Sequence, residues 1–144
     1  MKVELIIDKN VAKPYAIIYS NEKTEHINNV IKILKSSERA LPVTLNDKIH
    51  ILWPRDIYLI QVTDGKLTVY DKDKTYSLNK RLYEAKELLG SNFIQISKSS
   101  VVNVNYVESV EASFSGTLKV KLKNNLSDYI SRFFVKDFKK YLGL

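Results

Sequence analysis

The stretch that decides the fold is Phe93–Val107, which reads F-I-Q-I-S-K-S-S-V-V-N-V-N-Y-V. Two apolar runs of strand-like composition are separated here by Ser97-Lys98-Ser99-Ser100. Hydroxyls and loop N–H groups suit phosphate oxygens, and a lysine on such a loop can reach a guanine edge in a major groove. A turn in which the serines hydrogen-bond to local backbone groups explains the stretch equally well. Spacing alone leaves both interpretations open.

The composition indicates one domain, with or without a small appendage. The chain has 144 residues, of which 44% are hydrophobic, enough for a packed core. It contains no cysteine, which excludes disulfides, thiolate metal sites and a cysteine nucleophile. No apolar run approaches the roughly 20 residues of a membrane span, and the first residues lack the apolar region of a signal peptide. We therefore expect a cytoplasmic protein.

The chain is basic, with 23 Lys and Arg residues, 16 Asp and Glu residues and a formal net charge of +7. Basic proteins attract polyanions, most often nucleic acid or an acidic membrane surface. Lys119, Lys121 and Lys123 alternate with apolar residues along a predicted strand and therefore share one face. That face is either simply solvated or a rim that binds successive phosphates.

No pattern in the sequence predicts an enzyme. His26 and His50 are far apart, and neither has a carboxylate at metal-ligand spacing. The chain has four glycines and lacks both a phosphate-binding loop and a Gly-x-Ser-x-Gly nucleophile motif. We expect no catalytic residue, no metal site, no cofactor and no small-molecule substrate.

Residues 1–41 are predicted to form a small ββα extension. The strands are Val3–Ile7 and Tyr15–Tyr19, and a helix capped by Thr24 follows. Four apolar residues of that helix fall on one face: Ile27, Val30, Ile31 and Leu34. Ser36–Arg39 is predicted to be a linker. Because this unit is too small to own much core, we expect it to mediate dimerisation or to dock on a partner.

Residues 42–144 are predicted to be mostly β. A helix over Asn79–Leu89, ended by Gly90, interrupts the strands, and an amphipathic helix closes the chain. Asp64-Gly65 predicts a tight hairpin. The predicted strands are Lys48–Leu52, Ile57–Thr63, Leu67–Tyr70, Phe93–Ile96, Tyr106–Phe114, Thr117–Lys123 and Asp128–Ser131.

Phe93–Val107 resembles the signature of the LytTR DNA-binding domain, in which an apolar strand, a Ser-containing loop and Val-Asn follow one another. Pro54–Gln61 is similar to the opening strand of that family, and Leu82–Leu89 to its helix. Leu122–Asn125 with Ile130–Arg132 is similar to its closing hairpin. The resemblance covers about residues 42–144.

The resemblance implies a mostly β (α+β) fold, an elongated domain of small stacked sheets with short helices. It implies a transcriptional regulator that binds double-stranded DNA through loops, as a homodimer on direct repeats, in successive major grooves. It further implies the compact stand-alone type without a receiver domain, restrained by a small membrane protein encoded nearby.

The resemblance also assigns DNA contacts. In the loop Ser97-Lys98-Ser99, Lys98 would read a base, and Lys66 would belong to a second groove-entering loop. Ser131 and Arg132 would form the third contact region, with Arg132 suited to a phosphate or the minor groove. The chain departs from the family pattern at two positions. Phe133 stands where many members have a basic or polar residue, and Asn125 stands where glycine is usual.

The sequence leaves more than one role for Asn103 and for Trp53, and it allows one alternative function. Asn103, part of the signature, is expected to hydrogen-bond neighbouring backbone and support the loop of Lys98 rather than contact DNA. Trp53 is expected in the core or at a partner contact. The alternative function is a protein-interaction module that binds an acidic or membrane-protein partner through the lysine face of Thr117–Lys123.

Overall fold

The computed structural model describes residues 1–35 and 39–144, which divide into a small unit, Met1–Leu34, and a larger compact unit, Lys35–Leu144. Three residues of the predicted linker, 36–38, lie outside the described residues. No helix in the described part of the chain is long and apolar enough to cross a membrane.

The small unit contains the predicted helix but not the predicted strands. Helix α1 (Glu25–Lys35) is capped as expected, since the Thr24 hydroxyl accepts a hydrogen bond of 3.3 Å from the Ile27 N–H. Residues 3–7 and 15–19 are not assigned as strands, so the ββ part of the prediction is wrong for this chain taken alone. An isolated pair of short strands is marginal in water, because it buries too little apolar surface.

The larger unit is built from strands with two helices. The helices are α2 (Leu82–Leu89) and α3 (Arg132–Tyr141). The strands are β1 (Leu41–Leu45), β2 (Lys48–Leu52), β3 (Leu59–Thr63), β4 (Lys66–Tyr70), β5 (Thr75–Leu78), β6 (Phe93–Ser97), β7 (Ser100–Asn103), β8 (Val107–Ala112), β9 (Leu118–Leu122) and β10 (Ser127–Ile130). The predicted class, mostly β with short helices, is confirmed.

The strands form two antiparallel sheets. The larger has seven strands in the order β2-β1-β5-β4-β3-β7-β6, and the smaller has three in the order β10-β9-β8. Residues alternate between the faces of the larger sheet. Ile60 and Val101 pack in a core that includes residues of α2, while Leu59 and Val102 pack in a second core that includes residues of the smaller sheet and α3. Both faces of the central strands are therefore covered.

Several local predictions need correction. Strands β1, β5 and β7 are absent from the predicted strands. Helix α2 begins at Leu82 rather than Asn79 because Arg81 has extended backbone (φ −78°, ψ 153°). The Glu84 carboxylate accepts a hydrogen bond of 3.1 Å from the Arg81 N–H at this helix start. Trp53 is 39% exposed and lies outside the core, with the Arg55 guanidinium 5.2 Å from its ring centroid.

Candidate nucleic-acid interface

Three connections leave the larger sheet at the same end. In the β3–β4 hairpin, Thr63 pairs with Lys66 across Asp64-Gly65, whose positive φ values of 51° and 74° suit a tight turn. Leu67 pairs with Leu78, which places the β5–α2 connection at this end. The pairing of Gln61 with Ser100 places the β6–β7 loop there too. We call this end of the larger sheet the loop edge.

The β6–β7 loop is a two-residue turn that exposes Lys98. Ser97 pairs with Ser100 at its base, and the Ser97 hydroxyl accepts a hydrogen bond of 3.2 Å from the Ser99 N–H. The two hydroxyls of Ser97 and Ser99 lie 3.3 Å apart. Ser100 is buried. The serines thus hold the turn, as the structural interpretation of this stretch expects, and Lys98 is left facing solvent.

A backbone hydrogen bond ties this loop to the neighbouring hairpin strand. The Ser99 carbonyl accepts a hydrogen bond of 2.8 Å from the N–H of Val62, near the end of β3. The Gln95 amide donates at 2.9 Å to the Ser97 carbonyl. Lys98 and the hairpin of Lys66 are therefore held on one rigid support rather than on independent loops.

The start of α3 joins the same edge. The Ser131 N–H donates a hydrogen bond of 2.9 Å to the Ile96 carbonyl, directly before Ser97. The Gln61 amide donates at 2.7 Å to Asp128, which links β3 to β10 just upstream of α3. The structure thus brings together the three regions that carry Lys66, Lys98 and Arg132.

At the start of α3 the structure shows what Phe133 presents where a basic or polar residue was expected. Arg132 is exposed, and its stem packs over Gly116, where an added β-carbon would lie 3.2 Å from the Arg132 Cδ. Phe133 is 83% exposed and packs edge-on against Phe134, with centroids 5.1 Å apart. Phe133 offers an apolar surface beside the guanidinium rather than a second charge.

The loop edge is predominantly cationic. Among the described residues its exposed cations are Lys66, Lys80, Arg81, Lys86, Lys98 and Arg132, and its carboxylates are Asp64, Glu84, Glu87 and Asp128. The Asp128 and Glu84 carboxylates already accept hydrogen bonds, from Gln61 and from the Arg81 N–H. Such a surface suits the phosphates of a polyanion.

The lysine face of β9 is less cationic than its sequence suggests. Lys121 pairs with Glu108 at 3.3 Å, and Lys119 lies directly opposite Glu111 in β8. Lys123 follows the end of β9 and is exposed. The neighbouring strand therefore offsets part of the positive charge of Lys119 and Lys121, which sequence spacing within one strand does not reveal.

Asn103 makes backbone hydrogen bonds, but at the end of β7 away from Lys98. It is 1% exposed, its amide donates to the Ile57 carbonyl at 2.9 Å, and its oxygen accepts from the Asn105 N–H at 3.1 Å. It therefore fixes the turn that precedes β3, and any effect on Lys98 passes through β7.

Tyr76 and Asp71 form a hydrogen-bonded pair with shifted pKa values at the end of the larger sheet opposite the loop edge. Burial raises the pKa of Tyr76 to about 12, and its hydrogen bond to the Asp71 carboxylate acts in the same direction. Burial opposes ionisation of Asp71, but hydrogen bonds from the Lys74 N–H, the Tyr76 hydroxyl and the Asp73 N–H outweigh it, so the Asp71 pKa is lowered. This pair stabilises the β4–β5 turn.

In residues 1–35 and 39–144 the histidines and carboxylates form no group of three or more that could hold a metal ion. The His50 ring packs against Tyr76 with centroids 5.5 Å apart, and His26 lies exposed on α1.

The sequence interpretation missed Lys80 and Arg81. They follow β5, and β5 itself was not predicted, so nothing placed them beside Lys66 and Lys98. The signal that could have found them is the strand-like alternation of Thr75–Leu78, with Tyr76 and Leu78 buried.

Several exposed cations of this mostly β protein thus lie on or beside loops at one edge of its larger sheet. The profile of the LytTr DNA-binding domain family matches residues 47–143. This chain therefore belongs to the LytTR DNA-binding domain family.

A solved structure has a similar fold, and sequence relatives match the whole length of the chain. A LytTr DNA-binding domain from Bacillus cereus superposes with a TM-score of 0.70 at 22% identity, covering 73% of this chain and 97% of that one. Uncharacterized HTH-type transcriptional regulators of Staphylococcus aureus are 29% identical (strain MRSA252) and 28% identical (strain N315), over all of this chain and 99% of each relative. In the described part of this chain, strands separate α1, α2 and α3, so no helix-turn-helix is present.

Proposed function

We propose that this protein is a transcriptional regulator that reads duplex DNA through the loop edge. The observation that carries the proposal is the convergence of the β3–β4 hairpin, the β6–β7 loop and the start of α3, each with an exposed cation. Lys98 would read a base, and Lys66 and Arg132, with Ser97, Ser99 and Ser131, would contact the backbone or groove walls.

Fluorescence anisotropy tests this proposal. The duplex upstream of the protein's own gene and a scrambled duplex are compared at low and moderate salt. We expect wild type to prefer the upstream duplex and Lys98→Ala to lose that preference, at a cost of about 1–3 kcal/mol. Lys72→Ala is the matched control, because Lys72 is an exposed lysine in the β4–β5 turn at the opposite end of the sheet. Equal affinity of wild type for both duplexes would contradict sequence-specific reading.

We also propose that two copies bind direct repeats in successive major grooves. A duplex with two repeats is then bound more tightly than one with a single repeat. Inserting about five base pairs, half a helical turn, places the repeats on opposite sides of the duplex and should abolish the gain. If the gain survives the insertion, the two copies do not need a common face of the DNA.

Residues 1–34 are proposed to hold the two copies together. Residues 3–7 and 15–19 are rich in apolar side chains, which are largely exposed and include Leu5, Ile7, Ile17 and Tyr19. Leu5→Glu with Ile17→Glu should shift the protein to monomers in sedimentation, while Ile49→Glu, an exposed position on β2, should not. If the wild-type protein is already monomeric, that result would favour the other proposed role of residues 1–34, which is docking of a small membrane-protein inhibitor.

The alternative function is binding of an acidic or membrane-protein partner through the lysine face of β9. The carboxylates of Glu108 and Glu111 beside that face weigh against it. Retention of a partner after nuclease treatment, together with no duplex binding, would favour this alternative over the regulator.

A further inference from the structure

Two surface grooves meet at Arg81. One groove is lined by Arg81, Lys86 and Lys98, and it also includes Gln95 of β6. The second is lined by Lys66, Lys80 and Arg81, beside Gly65 of the β3–β4 hairpin. Arg81 and its neighbour Leu82 line both. The segment before α2 therefore lies between the two loops that carry Lys98 and Lys66.

Both grooves have an excess of positive charge. The first has three cations and one carboxylate, Glu87, and the second has three cations and one carboxylate, Glu84. Glu84 already accepts the Arg81 backbone N–H. Between described residues the structure records one ion pair, Lys121 with Glu108, so the Arg81 guanidinium has no carboxylate partner among them.

The backbone of Arg81 is held firmly, although its side chain is exposed. It precedes α2, whose Ala85 and Leu89 are buried in the core, and its carbonyl accepts the Ala85 N–H at 3.0 Å. A guanidinium on such a support offers paired N–H groups that match two oxygens of a phosphate. Anchoring the backbone lowers the entropy lost when the contact forms.

We propose that Lys80 and Arg81, with Lys86 at the groove wall, form a phosphate-binding site for the duplex backbone between the two reading loops. This inference rests on the proposed function and deepens it. The ligand is the phosphodiester chain where it passes from the loop of Lys66 to the loop of Lys98. The site carries no base preference and sets the register of both loops on the duplex.

The salt dependence of binding tests the site. Arg81→Gln keeps the aliphatic stem and removes the charge, and Lys80→Gln with Arg81→Gln removes both charges. For each variant, we expect the affinity for the upstream duplex and the affinity for the scrambled duplex to fall by the same factor. The plot of log K against log salt concentration has a negative slope, and each lost phosphate contact should make that slope less steep by about 0.9. Lys72→Gln, at the opposite end of the sheet, should leave the slope unchanged.

The outcomes separate the inference from the proposed function. If wild type binds the duplexes and both variants keep its slope, the phosphate site is wrong and the proposed function stands. If the variants change the ratio of affinities instead of the slope, the segment reads bases and the phosphate assignment is overturned. If wild type binds no duplex, both fail. Unchanged urea midpoints show that the variants are folded.

Discussion

The backbone N–H of Ser131 donates a hydrogen bond of 2.9 Å to the carbonyl of Ile96, which joins the start of α3 to the strand before Lys98. The two residues are far apart in sequence, and this bond fixes the distance between two proposed DNA contacts. Ser131 has φ −69° and ψ 151°, values that proline also adopts.

Ser131→Pro should therefore delete the N–H and keep the local backbone angles, but its Cδ takes the place of the amide hydrogen and pushes against the Ile96 carbonyl, so the start of α3 should separate from β6. We expect the free energy of unfolding to fall by at least the roughly 0.5–1.5 kcal/mol of the lost hydrogen bond. We also expect a weaker preference for the upstream duplex, because Arg132 is released from the loop of Lys98. Urea unfolding and anisotropy measure the two effects. Ser131→Ala keeps the N–H and is the control; identical behaviour of both variants would show that the bond is unimportant.

Gly116→Ala should displace Arg132. An added β-carbon would lie 3.2 Å from the Arg132 Cδ, and Gly116 has φ +76°, which L-residues rarely adopt. We expect lower stability, by roughly 1 kcal/mol or more, and weaker duplex binding. Gly143→Ala shares the positive φ (+77°) but meets no atom within 4 Å, so it isolates the backbone effect. Duplex affinity that falls equally in both variants would argue against a role of the Arg132 position.

Asn103→Ala should destabilise the larger unit by about 1–3 kcal/mol, because it leaves the buried Ile57 carbonyl without its partner. Asn105→Ala changes a neighbouring exposed side chain and should have little effect. The urea midpoint compares them. Since Asn103 lies at the end of β7 away from Lys98, the base preference of the folded fraction should be retained; its loss would make Asn103 a DNA-reading residue.

Stability should fall in alkaline solution because of Tyr76. Its pKa is raised to about 12 in the folded protein, so the folded state holds its proton more tightly than the unfolded state, whose tyrosine pKa is about 10. The contribution is complete below about pH 10 and is lost as the pH rises towards 12. Tyr76→Phe should flatten this dependence, as measured by urea midpoints across that range. An unchanged pH dependence would show that another group is responsible.

Lys121→Ala should weaken binding to every duplex by less than Lys123→Ala does. The Glu108 carboxylate 3.3 Å away offsets the Lys121 charge, whereas Lys123 has no ion pair among the described residues. Exposed pairs contribute about 0–1 kcal/mol, so stability should barely change. Salt-dependent anisotropy with both variants decides the order, and a larger effect of Lys121 would restore the β9 face as a main phosphate contact.

Much of the fold follows from local patterns. The strand Lys48–Leu52, the Asp64-Gly65 hairpin, the end of α2 at Gly90 and the left-handed Asn125 (φ 67°) are all features of neighbouring residues. Alternation also placed Val120 and Leu122 in the core. The strands predicted at 3–7 and 15–19 show the opposite case, because a short apolar stretch forms a stable strand only where other strands pair with it.

The sequence by itself determined the mostly β class, the turn that exposes Lys98 and the family resemblance, because each depends on residues adjacent in the chain. Only the tertiary structure decided that Lys66, Lys98 and Arg132 share one edge, that Arg81 lies between two of them, and that Glu108 offsets Lys121. These relationships depend on strand order and register, which are set by packing between segments distant in sequence.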